Sequence, residues 1–189
     1  MKDFTTDIIA YFDKVKKAIE KVDVNQVNNL MNLLIDALQQ EKQIFIMGNG
    51  GSAATASHFA CDFNKGLSWN KQKRFKIICL NDNIPTLMAY SNDISYEEIF
   101  AEPLKNFFQK GDLIVGLSGS GNSKNILNAI EWGNENGGTT IGLTGYDGGK
   151  LKQIAKHCVH IDVQDMQVAE DLHMILDHCM MQILHDYLK

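Results

Sequence analysis

Gln43-Ile44-Phe45-Ile46-Met47-Gly48-Asn49-Gly50-Gly51-Ser52 decides the fold: a short apolar strand runs into a Gly/Ser turn, and a helix-forming stretch begins at Ser52. A strand with apolar side chains at consecutive positions is buried on both faces, the mark of a parallel sheet. The arrangement returns where Asp112-Leu113-Ile114-Val115-Gly116-Leu117 leads into Ser118-Gly119-Ser120-Gly121-Asn122-Ser123 and a second helix-forming run. In both turns glycine lets the backbone approach a ligand closely, serine supplies hydroxyl donors, and the helix N-terminus adds unpaired N–H groups with a favourable dipole. Phosphate fits that description. No Lys-Ser/Thr completes a nucleotide P-loop and the Gly-x-Gly-x-x-Gly spacing of dinucleotide sites is missing, so the expected ligand is a small phosphoester, not ATP or NAD.

Outward from these turns, Ile8, Ile9, Phe12, Val15 and Ile19, then Val27, Leu30, Met31, Leu34, Ile35 and Leu38, stand at helical spacing and predict two helices before the first strand. Strand and helix patterns then alternate: strand 43–47, helix 52–64, strand 76–80, helices near 84–91 and 95–109, strand 112–117, helix 123–136, strand 139–143, helix 149–155, strand 158–163 and helix 167–187. The expectation is an α/β fold with a five-stranded, doubly wound parallel sheet. With only two prolines and no low-complexity tract, residues 1–41 read as a helical extension belonging to the same domain as 42–189. If the strand order is the common 2-1-3-4-5, the switch point lies between strands 1 and 3, and both Gly/Ser turns face one crevice.

A chain of 189 residues, 44% hydrophobic, can bury a core without disulfide or metal staples. A net charge of −5, with only Lys71-Gln72-Lys73-Arg74 as a basic cluster, argues against nucleic-acid binding. No apolar run approaches the roughly 18–20 residues of a membrane span, and Met1-Lys2-Asp3-Phe4 does not open a signal peptide, so a cytoplasmic location is expected. Cys61, Cys79, Cys158 and Cys179 form no Cys-x-x-Cys pair and read as reduced core thiols.

His58 and Asp62, four apart, share a helix face and can chelate a metal or act as an acid/base pair; a surface ion pair is the plainer alternative. The last helix carries Glu170, Asp171, His173, Asp177, His178 and His185 among apolar residues on nearly all sides, which points to a subunit interface. Polar groups buried there must pair or bind something. Glu170 and His178 are eight residues, about 12 Å, apart along the axis. One metal touching both from one subunit strains side-chain reach, and ligands from different subunits would relieve it. His157, His160, His173 and His185 read as structural. Asp82 and Asn92-Asp93 lie beyond the second strand, where they can orient sugar hydroxyls or cap a helix. Gly142-Leu143-Thr144-Gly145-Tyr146-Asp147-Gly148-Gly149 reads as a structural turn.

Taken together, the Gly48–Ser52 turn, His58 four before an acid, Asn92-Asp93, the Ser118–Ser123 turn, Gly142-Leu143-Thr144-Gly145 and a closing helix with histidine resemble the sugar isomerase (SIS) domain family, and within it the phosphoheptose isomerases. The resemblance covers nearly the whole chain. It implies a flavodoxin-like homotetramer with sites near subunit interfaces. It also implies phosphate held by Ser118, Ser120 and Ser123 with Gly119 beside them, and a sugar contacted by Asn49, Gly50, Gly51, Ser52, Asn92, Asp93 and Glu170. A zinc ion on His58, Asp62, Glu170 and His178 is implied too, with Asp62 as catalytic base and His178 as acid. The implied reaction is aldose–ketose isomerisation of sedoheptulose 7-phosphate through an enediol, for cell-envelope heptose. The chain departs from the family at Asp62, where Glu is usual, at Glu170, where Gln is usual, and at Gly119, where many members have Thr. A non-catalytic sugar-phosphate sensor or partner-binding regulator, and an isomerase of another phosphosugar, are the alternatives.

Overall fold

A computed structural model describes residues 1–189. The elements are α1 (Thr5–Ile19), α2 (Val24–Gln39), β1 (Gln43–Gly48), α3 (Gly51–Cys61), β2 (Lys76–Cys79), α4 (Ile84–Asp93), α5 (Ala101–Phe107), β3 (Leu113–Ser118), α6 (Lys124–Glu135), β4 (Thr139–Thr144), α7 (Gly149–Ile154), β5 (His157–His160) and α8 (Met166–Tyr187). A π-helical segment (Asp62–Leu67) continues α3, and a 3₁₀ turn (Tyr96–Glu98) follows α4. The five strands are all parallel in the order β2-β1-β3-β4-β5, the order on which the shared crevice depended. Gly48 pairs with Leu117, and Ser118 with Thr144, so β1, β3 and β4 end at one level and their turns lie side by side.

β1 shows why consecutive apolar residues demand two helical layers. Ile44 and Ile46 enter a core shared with α2, α3 and α8, where Leu34, Phe59, Phe63, Leu172 and Met180 pack. Phe45 and Met47 face the opposite layer, against Phe100, Leu104, Ile130 and Leu151 of the α5, α6 and α7 side. All four are fully buried, each contributing roughly 1.5–3 kcal/mol. The same logic draws in the helical extension: Leu30 and Leu34 of α2 lie in the first core, and α1 is tied to α8 by Tyr11–Asp171 (2.5 Å) and Lys14–Asp165 (2.7 Å) hydrogen bonds.

Two of the later elements and the placing of the cysteines differ from the sequence expectation. The run 95–109 is broken into the 3₁₀ turn and α5, because Pro103 has no N–H to donate and is tolerated only in a helix's first turn, where it stands. Strand 158–163 shortens to His157–His160: β4 ends at Thr144, whose carbonyl takes the last bond, from Ile161 N–H, at 2.8 Å. Nor are all four cysteines in the core. Cys79 is buried, its thiol pushed up to about 12 by desolvation, and Cys158 is partly covered, whereas Cys61 and Cys179 are exposed on α3 and α8.

Candidate active site

The two Gly/Ser turns line one cavity of about 260 Å³, with Asn49, Gly50, Gly51 and Ser52 on one side and Ser118, Gly119, Ser120 and Ser123 on the other. α3 and α6 start at its wall, so two helix N-termini meet there. The Ser118 and Ser123 hydroxyls are 3.1 Å apart, and Ser120 Oγ accepts a hydrogen bond from Asn122 N–H. The turn after β4 braces this loop from behind: Gly145 N–H donates to Gly119 O (2.9 Å), and Lys150 N–H to the Asn122 side chain (3.0 Å). Gly121, at φ +67°, passes so close to the Gly148 carbonyl that no side chain fits between them.

A second cavity of about 490 Å³ adjoins the first through Asn49 and Gly50. Its lining includes Asn92, Asn81 and Tyr96 with the apolar Leu87, Met88 and Phe100. Asn49 is held in place by paired amide hydrogen bonds with buried Asn125 (both 2.9 Å) and by the Tyr96 hydroxyl (2.8 Å). Asn81 similarly grips both the N–H and the carbonyl of Gly48. Sequence reasoning missed Asn125, Asn81 and Tyr96, since a lone amide or phenol carries no signal until the fold supplies its neighbour. Asn92 and Asp93, expected as a pair, divide: Asn92 donates to Asp93 (2.8 Å) and lines this cavity, while Asp93 lines a separate one. Asp82 accepts from Ser57, and the cap of α4 is Asn83.

The third component is a cluster between α3 and α8. His58 Nε2 lies 3.0 Å from His178 Nε2 and 3.6 Å from Asp62 Oδ2. Asp177 joins them, and one ligand atom from each of the four falls within 4.8 Å of all the others. Asp62 opens the π-helical segment, a local widening often found at functional sites. Asp177 is fully buried, yet neither carboxylate oxygen has a hydrogen-bond partner. Burial, with the Asp62 charge adding, pushes its carboxyl up to about 7.

Within a single chain Glu170 lies outside this cluster. It lies two helical turns earlier on α8, and its carboxylate rests against Gly51 in the cavity between the two Gly/Ser turns. The remaining histidines sit elsewhere: His157 bonds Asn29 (3.0 Å), His160 bonds Thr144 (3.0 Å), His173 is buried against the Thr144 carbonyl, and His185 is next to Asp186. Asp171 accepts a hydrogen bond from the Tyr11 hydroxyl.

The SIS domain profile matches residues 10–145, which include the first turn, the Ser-rich loop and the whole lining of the second cavity. The chain belongs to the SIS domain family. Among SIS proteins it is similar to the phosphoheptose isomerase of Helicobacter pylori (strain P12), 34% identical over 172 residues, covering 91% of this chain and 88% of that one. The phosphoheptose isomerase of Aliarcobacter butzleri is 31% identical over 183 residues, 97% and 96% of the two chains. Among solved SIS structures, phosphoheptose isomerase GmhA from Neisseria gonorrhoeae superimposes with a TM-score of 0.89 at 27% identity, covering 97% of this chain and all of that one. No helix here is long and apolar enough to cross a membrane.

Proposed function

We propose that this SIS protein is an aldose–ketose isomerase that converts sedoheptulose 7-phosphate to D-glycero-D-manno-heptose 7-phosphate. The observation that carries this reading is the coexistence of a phosphate cradle at the N-terminus of α3 with an acid/base cluster at its C-terminal end, in a chain whose relatives bear the name phosphoheptose isomerase. Glu170 at the cradle and His178 at the cluster are eight residues apart on α8, about 12 Å.

In this reading Ser118, Ser120 and Ser123 hold the phosphate with the N–H groups that open α3 and α6. Asn49, Gly50, Gly51, Ser52, Asn92 and Glu170 contact the sugar, and Asp93, which lines a separate cavity, acts only by holding the Asn92 side chain. Anchoring the far end turns binding energy into orientation of the reacting carbons. Asp62 removes the proton beside the carbonyl while His178 donates one to the carbonyl oxygen, giving the enediol; Asp62 then returns its proton to the carbon that had been the carbonyl while His178 takes back the proton of the other enediol hydroxyl, which becomes the new carbonyl, so no net proton is consumed. His58, within 3.6 Å of Asp62 and 3.0 Å of His178, keeps both groups aligned. The cluster's two imidazoles and its unpartnered buried carboxylate suit a divalent cation, with His58, Asp62 and His178 as ligands. Zinc bound there would supply Lewis-acid polarisation of the carbonyl.

A homotetramer is part of the proposal. Phe4, Ile8, Ile9 and Phe12 of the N-terminal region and Ile175 and Ile183 of α8 are exposed apolar side chains that subunit contacts would cover. A cytoplasmic place in heptose supply for a cell-envelope polysaccharide follows from the same reading, and sedimentation analysis tests the assembly.

The decisive assay is purified protein with sedoheptulose 7-phosphate, with and without added zinc. Turnover is expected, and Asp62→Asn should reduce kcat by about 100-fold or more, as expected on loss of a general base. Tight binding with no turnover would favour the sensor reading; faster turnover of a pentose or hexose phosphate would favour a different isomerase; unchanged kcat in Asp62→Asn would remove Asp62 from the base role.

A further inference from the structure

We propose that Asn125 is a positioning residue: through paired amide hydrogen bonds it fixes the Asn49 side chain so that an Asn49 N–H, and not its carbonyl oxygen, is offered to an oxygen atom of the bound sugar. The proposal rests on the proposed function in taking Asn49 as a sugar contact, and it names the chemistry of that contact.

Of the four hydrogen bonds open to the Asn49 amide, two given by its NH2 group and two accepted by its oxygen, three are taken. Asn49 Nδ2 donates to Asn125 Oδ1 (2.9 Å), and Asn49 Oδ1 accepts from Asn125 Nδ2 (2.9 Å) and from the Tyr96 hydroxyl (2.8 Å). The oxygen is saturated, and one N–H is left. Asn49 is half-buried and lines both the cavity between the Gly/Ser turns and the larger one beside it. The remaining donor is thus available where the two cavities meet.

Two facing amides pair equally well when both are reversed, so the pair by itself does not set which end of Asn49 is left for a ligand. The start of α6 breaks the tie. Ile126 stands in the first turn of that helix, where a backbone N–H has no acceptor within the helix, and Ile126 is fully buried. Its N–H is satisfied by Asn125 Oδ1 at 3.0 Å. An Asn125 NH2 turned toward it would set donor against donor and leave a buried N–H unpaired. Asn125 Oδ1 therefore faces Ile126, Asn125 Nδ2 faces Asn49 Oδ1, and the group left free on Asn49 is an N–H. A backbone donor that opens α6, behind the second Gly/Ser turn, decides what a residue of the first turn offers, across 76 positions of sequence.

Asn125 is 1% exposed and lines neither cavity, so what it contributes to sugar binding passes through Asn49. The same burial makes the device independent of any neighbouring subunit. An N–H suits every oxygen of a sugar, hydroxyl or carbonyl, because all carry lone pairs. A side-chain oxygen in its place would repel the substrate's own carbonyl.

Calorimetric binding of sedoheptulose 7-phosphate to the full-length protein, in a double-mutant cycle over positions 49 and 125, tests this, with kcat and KM measured alongside. Asn49→Ala should weaken binding about tenfold, and Asn125→Leu by a similar factor. The variant carrying both changes should bind within about threefold of Asn49→Ala alone, because Asn125 then has nothing left to position. Asn125→Ser, whose hydroxyl is too short to reach Asn49, replaces Asn125→Leu if circular dichroism shows the latter unfolded. Inorganic phosphate, which lacks the sugar, should bind wild type and the position-125 variant within about threefold of each other. Losses that multiply in the double variant, an unchanged sugar-phosphate affinity in the position-125 variant, or an equal loss for inorganic phosphate, which would place the effect in the Ser118–Ser123 loop, each overturn the inference. Wild type that binds the sugar phosphate without turning it over counts against the isomerase reading alone, since the cycle is read from binding. Wild type that does not bind it overturns both.

Discussion

At Asp62 the chain offers a carboxylate one methylene shorter than the glutamate usual in its family, and the structure shows where that side chain stands. It opens the π-helical segment and lies beside His58, with a second carboxylate, Asp177, closing the group. His58 and Asp62 were legible as a candidate pair because four residues on a helix define one face. Asp177 was visible in the sequence only as one more polar residue on α8, since burial and missing partners are not properties of a sequence. Gly51 carries a residue-scale prediction. A Cβ there would collide with the Glu170 carboxylate, which is the free end of a flexible side chain and can swing aside into the cavity. Gly51→Ala should therefore fold with its melting temperature little changed while KM for the sugar phosphate rises about tenfold, a loss of about 1.4 kcal/mol of binding.

The connection from α3 to β2 shows the limits of periodicity at the scale of an element. Apolar spacing predicted a helix over 52–64, and a helix is there, but its last turns widen to π geometry over Asp62–Leu67. Six residues are too few to separate one helical period from the other. What holds the segment is Ser68, which donates to the Phe63 carbonyl (2.8 Å) and accepts from Phe75 N–H (2.9 Å), both in the interior. Ser68→Ala would leave both backbone groups buried and unpaired. Urea unfolding should then report a loss of about 1–3 kcal/mol. Because Asp62 sits at the head of the segment this serine anchors, kcat should also fall in the variant even where it remains folded.

For the whole molecule, the interior histidine sets an acid limit. His173 is 1% exposed, and burial holds its imidazole down at about 4 against an ordinary 6.5. Between those values the unfolded chain takes up a proton that the folded chain refuses. Stability from this group is therefore complete above about pH 6.5 and is lost as pH falls toward 4, by up to about 3 kcal/mol. In His173→Leu the decline in unfolding free energy between pH 7 and pH 4.5 should shrink by about 2 kcal/mol, measured by denaturant titration at each pH. An unaltered slope would mean that other groups set the acid limb.

The sequence alone determined the alternation of strands and helices, the parallel sheet and the two anion turns, because these follow from local runs: consecutive apolar residues need two covered faces, and Gly/Ser at a strand end leaves N–H groups free. It also supplied His58, Asp62 and His178 as chemistry-bearing residues. Only tertiary structure decided which of them meet. Eight residues of rigid helix carry Glu170 to the cavity between the two Gly/Ser turns and bring Asp177 and His178 to face α3, while Asn49 acquires its partners Asn125 and Tyr96 from distant parts of the chain. Contacts between distant segments depend on how helices pack across the sheet, and no local pattern of residues encodes that packing.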